Sequence, residues 1–391
     1  MIEHLRAAMK RARPASVLLA LFLAGCSPAS AEPTLDDLWS NKAHFAQVRE
    51  MPFGQTGNGG QLETATWYVV RNGTWYAFSR ADHPRPAAVC PTNHMKVVVR
   101  ESGDKGATWS APVDVARPGD SGGGDGCAVL DGSSFYDSES GTWHLLAQCL
   151  DNLHKGGWSL CHYTRRAVSP LGAFVADPAN PVVRGGQLWS TLCGSGKSCP
   201  SGVLDEGTPD IVAKQGGMFL VTMHGYDPAS ERGYRGVVAT PDFRRWATSG
   251  PGLPGANVLG PQDCAKWLSA CVGFGQASSV LANGRIYVIA ESMDRSLVCV
   301  PNQEWVFAIM RSTGQGWPRG GSGGWQRLPN NALVRRNWPD AKTPCALSYA
   351  RWIVDGPEIY LTYEDWEPNH ARMHRRLLKL MPGDGPAISF R

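Results

Sequence analysis

Five times along this chain an apolar run meets a tight turn and continues into an aromatic or branched run. That recurrence constrains the fold more than any other feature. The units are Thr66 to Ser79 (TWYVVRNGTWYAFS), Cys127 to Leu150, Asp210 to Tyr226 (DIVAKQGGMFLVTMHGY), Ala277 to Ser292 (ASSVLANGRIYVIAES) and Leu347 to Glu364 (LSYARWIVDGPEIYLTYE). They turn at Asn72-Gly73, Ser140-Gly141, Gly216-Gly217, Asn283-Gly284 and Asp355-Gly356, with a further turn expected near Asp131-Gly132. Two-residue hairpin turns need positive φ at their centre, and Asn, Asp and Gly adopt it most readily. Further strands follow as His94 to Glu101, Trp158 to Arg165, Gly233 to Thr240, Trp305 to Ser312 and His374 to Met381. Repeated units of about four strands predict an all-β chain folded as a five-bladed β-propeller. A sixth blade follows only if residues 34–60 or 160–205 hold one. A pair of packed sheets is the competing arrangement, and the regular recurrence of whole units argues against it.

The N-terminal segment reads as an export signal. Arg6, Lys10, Arg11 and Arg13 precede the apolar run Val17 to Ala24, which is too short to span a bilayer. The run ends in Leu23-Ala24-Gly25-Cys26, which resembles the lipobox of bacterial lipoproteins. That resemblance implies cleavage before Cys26, lipidation of its thiol and an envelope location, in the outer membrane of a Gram-negative cell. The expected organisation is a signal peptide at 1–25, a lipidated cysteine and tether at 26–50, and the propeller at 51–391. Of eleven cysteines, Cys26 is set aside and ten remain, an even set suited to disulfides in an oxidising compartment. Net charge is +4 with no block of five basic residues, which argues against nucleic acid as a partner. A monomer meeting carbohydrate outside the cell is the expectation.

Two stretches carry a resemblance to known families. Ser102-Gly103-Asp104-Lys105-Gly106-Ala107-Thr108-Trp109 matches the Asp-box of sialidase-like propellers, a structural turn remote from their active centre. Ala239 to Trp246 (ATPDFRRW) resembles a turn of five-bladed glycosidases such as arabinanases and xylosidases, and Glu206-Gly207-Thr208-Pro209-Asp210-Ile211 resembles their catalytic blade openings. The resemblance covers residues 60–380. It implies glycoside hydrolysis without an organic cofactor; some five-bladed members hold a calcium in the channel, although no calcium-loop motif is visible here. The sialidase arginine motif is replaced by Thr64-Ala65-Thr66-Trp67, and Asn93-His94 stand where sialidases carry their acid/base aspartate.

A propeller binds its ligand where the innermost strands begin. The residues placed there are Glu63, Asp125, Glu206 with Asp210, Gln276, and Ser348-Tyr349. Glycoside hydrolysis needs one carboxyl to protonate the leaving oxygen and a second to activate water or attack the sugar. Burial separates their pKa values. Glu206 is the expected acid by its resemblance to the acid-bearing opening, Asp210 its rival, and Asp125 the expected base, with Glu63 as an alternative. Glu63, Arg80, Asp82, His83, His94, Gln276 and Tyr349 are expected to line the substrate. His224 and Tyr226, and Glu364 to Glu367, end later hairpins on one rim or the other. Two other functions fit the same scaffold: a carbohydrate-binding lipoprotein without catalysis, and a polysaccharide lyase using His94 as base.

Overall fold

The computed structural model describes residues 32–54, 62–84, 94–120, 124–151, 157–194, 198–264, 271–294, 305–328, 347–366, 372–384 and 388–389. Cys26 and the segment read as an export signal therefore lie outside the described residues. So do Asn93 and Glu367.

The chain is all-β with almost no helix; among the described residues the helices are α1 (Leu35–Trp39), α2 (Trp189–Leu192) and one turn of 3-10 helix. After β1 (Ala43–Glu50), the strands fall into successive antiparallel sheets. Sheet 1 holds β2 (Glu63–Arg71), β3 (Thr74–Asp82), β4 (Met95–Ser102) and β5 (Val113–Ala116). Sheet 2 holds β6 (Ala128–Asp137), β7 (Thr142–Leu150), β8 (Ser159–Arg166) and β9 (Val175–Ala176). Sheet 3 holds β10 (Leu204–Gln215), β11 (Met218–Asp227) and β12 (Arg232–Thr240). The hairpin of β13 (Ser249–Gly250) and β14 (Leu253–Pro254) follows, and β15 (Asn257–Leu259) pairs with β12. Sheet 4 holds β16 (Cys271–Ala282), β17 (Arg285–Asp294), β18 (Trp305–Ser312) and β19 (Trp325–Arg327). One parallel pair, Gly233 with Gly273, joins sheets 3 and 4. Sheet 5 holds β20 (Leu347–Asp355), β21 (Glu358–Trp366) and β22 (Met373–Pro382), with β1 antiparallel to β22 and β23 (Ile388–Ser389) parallel to β1.

The hairpin turns sit where Asn72-Gly73, Gly216-Gly217, Asn283-Gly284 and Gly356-Pro357 allow them, with Asn72, Gly73, Asn283 and Gly284 all at positive φ. Asp131-Gly132 is different. It lies inside β6, where the register shifts, and is a bulge rather than a turn. Of the two stretches considered for a further blade, residues 43–50 form β1, the last sheet's fourth strand, although that segment reads as tether in the sequence. Ser159–Arg166 is the third strand of sheet 2.

Buried side chains pack between adjacent sheets. Trp67, Phe78, Val97 and Val99 of sheet 1 cluster with Trp143, Leu145, Cys161 and Tyr163 of sheet 2. Phe45, Tyr363 and Leu378 of sheet 5 cluster with Tyr287, Phe307 and Ile309 of sheet 4. All five first strands line one cavity of about 420 Å³, through Trp67, Ser133, Asp210, Ser278 and Arg351 among others. The Asp-box closes as a turn: Asp104 Oδ1 accepts from Ser102 Oγ at 2.8 Å and Thr108 N at 2.8 Å, and Trp109 packs on Phe53 at 4.8 Å. Disulfides Cys149–Cys161, Cys193–Cys199 and Cys264–Cys271 are present, and Cys127 is also disulfide-bonded.

Candidate active site

Every first strand breaks its ladder at the same level. The register shifts between Thr64 and Trp67, Leu130 and Gly132, Gly207 and Asp210, Phe274 and Ala277, and Ser348 and Arg351. A bulge frees main-chain groups and re-aims a side chain. The residues so released are Ala65-Thr66, Asp131, Thr208-Pro209, Gly275-Gln276 and Tyr349-Ala350. Ala65, Thr208 and Tyr349 hold φ values of 54°, 35° and 52°, conformations that a non-glycine residue adopts at an energetic cost.

The second strands supply the matching groups. The sixth residue after the first paired position is Arg80 on β3, Gln148 on β7, His224 on β11, Glu291 on β17 and Glu364 on β21, as the registers show. Four of these reach the bulge of the following sheet. Arg80 Nη1 bonds Asp131 at 3.1 Å, and Gln148 Oε1 accepts Thr208 N at 2.7 Å. Glu291 Oε1 accepts Tyr349 N at 2.6 Å, and Glu364 Oε1 accepts Thr66 N at 3.4 Å. The last of these joins sheet 5 to sheet 1.

Around Tyr349 these contacts form one assembly. The Arg80 guanidinium stands 5.0 Å over the Tyr349 ring, and Tyr349 Oη donates to Asp131 Oδ2 at 3.3 Å. Arg80 Nε also donates to Thr64 Oγ1 at 2.7 Å. Glu291 accepts a second main-chain bond, from Gln276 N at 3.3 Å. Burial, the largest influence, pushes the Glu291 carboxyl up to about 7 against the pull of those N–H donors, and the Asp131 charge raises it further. The Glu364 carboxyl is also raised, by burial, with Arg375 at 3.3 Å opposing.

The sequence-predicted residues divide. Arg80, Gln276 and Tyr349 come together in this assembly. Glu63 is 1 % exposed and its carboxylate is held by Arg100, with Nη2 to Oε1 at 2.7 Å. Asp125 is fully buried, and Tyr163 Oη on β8 donates to its Oδ2 at 2.8 Å. Glu206 is fully buried and accepts from Gly186 N at 2.5 Å and Leu188 N at 2.8 Å, pinning the loop that enters α2. Its carboxyl is pushed up to about 7 by burial. Asp210 lies beside Arg351 at 3.6 Å, lines the 420 Å³ cavity and accepts Ser279 N at 2.8 Å; burial raises it despite Arg351. Asp82 is exposed at the end of β3. His94 O accepts from His83 N at 2.9 Å, and His94 Nε2 is buried without a hydrogen-bond partner among the described residues.

Asp131 and Glu291 went unrecognised in the sequence. Asp131 sits in a dipeptide that reads as a turn, and Glu291 sits in the second strand of its hairpin, where a search of first-strand openings does not look. Superposing the hairpins on their turns finds Glu291, because the spacing from the first paired residue is constant. Among the described residues no group of three or more His, Cys, Asp or Glu is placed to hold a metal ion.

No protein-family model matches the chain, and no curated protein matches its sequence. Solved structures do match its fold. A thermostable family-43 glycoside hydrolase superposes with a TM-score of 0.53 at 13% identity, over 87% of this chain and 98% of that one. The catalytic domain of a family-62 α-L-arabinofuranosidase from Coprinopsis cinerea gives 0.52 at 13% identity, over 87% and 98%. An α-L-arabinofuranosidase from Lactobacillus brevis gives 0.51 at 10% identity, over 84% and 94%. The chain therefore shares the fold of these propeller glycoside hydrolases.

Proposed function

We propose that the chain is a five-bladed propeller, one blade per sheet, and a glycoside hydrolase whose catalytic carboxyls are Asp131 and Glu291. The observation that carries this reading is the Asp131–Tyr349–Glu291 assembly at the level where all five first strands bulge. Glu291, with its carboxyl near 7, is the proton donor to the leaving oxygen. Asp131, ion-paired to Arg80, is the carboxylate that activates water or attacks the anomeric carbon. Tyr349 sits between them and lends the sugar an aromatic face. In this reading Glu206, Asp125 and Glu63 brace loops and strands, and Asp210 acts from the layer below. The substrates tested first are α-L-arabinofuranosides, because two of the similar structures carry that activity in their names.

Glu291→Gln and Asp131→Asn should fold and lose more than about 100-fold in turnover, while Glu206→Gln and Asp210→Asn keep most of it. A polysaccharide panel with reducing-end and ultraviolet readouts is the measurement. Full turnover in Glu291→Gln, or its loss in Glu206→Gln alone, overturns the assignment; unsaturated products would point to a lyase using His94. One observation favours a second reading, carbohydrate binding without catalysis. Both oxygens of Glu291 already accept main-chain N–H groups, and Asp131 is paired. Glycan binding with no product from any panel member would select it.

The lipobox-like segment supports a lipid anchor on Cys26 in the cell envelope, and the disulfides suit that compartment. Cys26→Ser should abolish labelling by a fatty-acid analogue and release the protein from membranes; an unlabelled wild type would exclude the anchor.

A further inference from the structure

The cavity between the five first strands has a definite limit. Its lining begins at Trp67 on β2, Ser133 on β6, Asp210 on β10, Ser278 on β16 and Arg351 on β20, just past the bulge in every case. Asp131, Gln276, Glu291 and Tyr349 are not among the residues that line it. Arg351 belongs to both regions. From sheet 5 its Nη2 donates to Gly132 O of sheet 2 at 3.3 Å, and its Nη1 donates to Ala277 O of sheet 4 at 3.3 Å. Asp210 of sheet 3 stands 3.6 Å away. One guanidinium thus reaches three other sheets where the cavity ends.

Both carbonyls belong to the residue that follows a bulge. Gly132 follows Asp131, and Ala277 follows Gln276, whose N–H is bound by Glu291 Oε2 at 3.3 Å. Arg351 itself comes two residues after Tyr349, whose N–H is bound by Glu291 Oε1 at 2.6 Å. Gln276 Nε2 also donates to Ala350 O at 3.3 Å. Arg351 therefore fastens the bulges of sheets 2, 4 and 5 to one another, and those bulges carry or bind every member of the Asp131–Tyr349–Glu291 assembly.

The arginine is 2 % exposed, and its Nε is buried with no hydrogen-bond partner among the described residues. Burial, the largest influence, lowers its pKa against the pull of Asp210 on β10, Asp131 on β6, Glu291 on β17 and Tyr349 on β20. Arg235 of β12 and Tyr68 of β2 also feel its charge. A buried charge of this kind is a poor source of stability, because an apolar side chain of similar length fills the space without desolvating a cation. An apolar side chain cannot supply a fixed positive charge acting on two carboxyls, one of which becomes an anion as it gives up its proton.

We propose that Arg351 is the positioning residue of the hydrolase. It fastens the bulge that carries Asp131 to the bulges that Glu291 binds, and its charge stabilises the Glu291 carboxylate left when the leaving oxygen takes the proton. This role rests on the carboxyl assignment above. Arg351 acts through the two carboxyls rather than on the sugar.

The test compares the mature wild-type chain with Arg351→Met, Arg351→Lys and Glu291→Gln. Linear α-1,5-arabino-oligosaccharides and the polysaccharide panel are the probes, because their leaving sugars need a proton. Methionine removes the charge; lysine keeps the charge and removes the two-pronged donor. Kinetics across pH are read beside thermal melts that report folding. Arg351→Met should lose about 100-fold in kcat, with KM within about threefold of wild type. Its fall in kcat/KM at high pH should come about one pH unit later than in wild type, because Arg351 holds the Glu291 carboxyl down. Arg351→Lys should fall at the wild-type pH and lose about tenfold in kcat. If methionine prevents folding, lysine decides, and full kcat in Arg351→Lys overturns the role. Lost turnover in a folded Arg351→Met with the high-pH fall unmoved shows a merely structural residue and also overturns it. Wild-type kinetics in Arg351→Met beside an inactive Glu291→Gln overturns the role and leaves the hydrolase standing. Full turnover in Glu291→Gln overturns the carboxyl assignment instead. No turnover of any probe by wild type overturns both.

Discussion

At the scale of single residues, several charges are taken out of water between the sheets. Arg235, Arg351 and Arg375 are each 1–2 % exposed, and each is held by carboxylates or carbonyl oxygens. Burial raises Glu206 and Glu291 to about 7, above the ordinary 4.5. A carboxyl whose folded pKa exceeds its unfolded one holds its proton more tightly when folded. Stability therefore falls as pH rises from about 4.5 to 7, and the loss is complete above that window. Thermal melts should show a higher midpoint at pH 5 than at pH 8, and Glu206→Gln should flatten part of that slope; an unchanged slope would show that Glu206 titrates normally. Under the proposed mechanism Glu291 must be protonated to act, so kcat/KM should fall as pH rises through about 7. Arg100→Met tests the opposite kind of site. It strands the buried Glu63 carboxylate and should cost about 3–5 kcal/mol in denaturant unfolding.

At the scale of elements, hairpins provide the framework and bulges provide the site. The bulge on each first strand makes that strand's backbone available to its neighbour, which is why side chains of β7, β17 and β21 bind main-chain groups of the next sheet. The join of sheets 3 and 4 is tighter. Gly273 has φ +118°, and a Cβ there would stand 2.0 Å from Gly233 O. No side chain fits without parting the strands. Gly273→Ala should destabilise the chain by more than about 2 kcal/mol, read by chemical denaturation, and should disturb the neighbouring Gln276 and His224. Gly216→Ala, where nothing lies within 4 Å, is the control. Its strain is confined to the positive φ of the turn, so it should cost less than Gly273→Ala.

At the scale of the whole molecule, the N-terminal strand completes the C-terminal sheet. Phe45 of β1 is fully buried and packs at a tilt against Trp352, ring centroids 5.8 Å apart, and Trp75 of sheet 1 donates from Nε1 to Asp355 of sheet 5 at 2.9 Å. These contacts hold together segments that are hundreds of residues apart in sequence. Phe45→Ala should cost about 3–5 kcal/mol. The unfolding transition should stay single, because losing β1 exposes sheet 5 and its neighbours together; a separate early transition would show that the sheets unfold independently.

The sequence by itself determined the all-β class, the five hairpins and most of their turns. Each of these is local: a period-two pattern, a residue that tolerates positive φ, a tight connection. It also carried the Asp-box and three of the residues that meet at the site, Arg80, Gln276 and Tyr349. Only the tertiary structure decided which carboxylates face one another. Glu63 opens β2, Asp125 precedes β6 and Glu206 lies near the start of β10, close in sequence to the bulges as Asp131 is, yet Arg100, Tyr163 and the loop before α2 draw them into the framework. Asp131 and Glu291 lie 160 positions apart and both reach Tyr349, one at its hydroxyl and one at its main-chain N–H, only because the bulge of sheet 2 and the second strand of sheet 4 converge on the bulge of sheet 5. Burial and partner charge are properties of that meeting, and no local stretch of sequence encodes them.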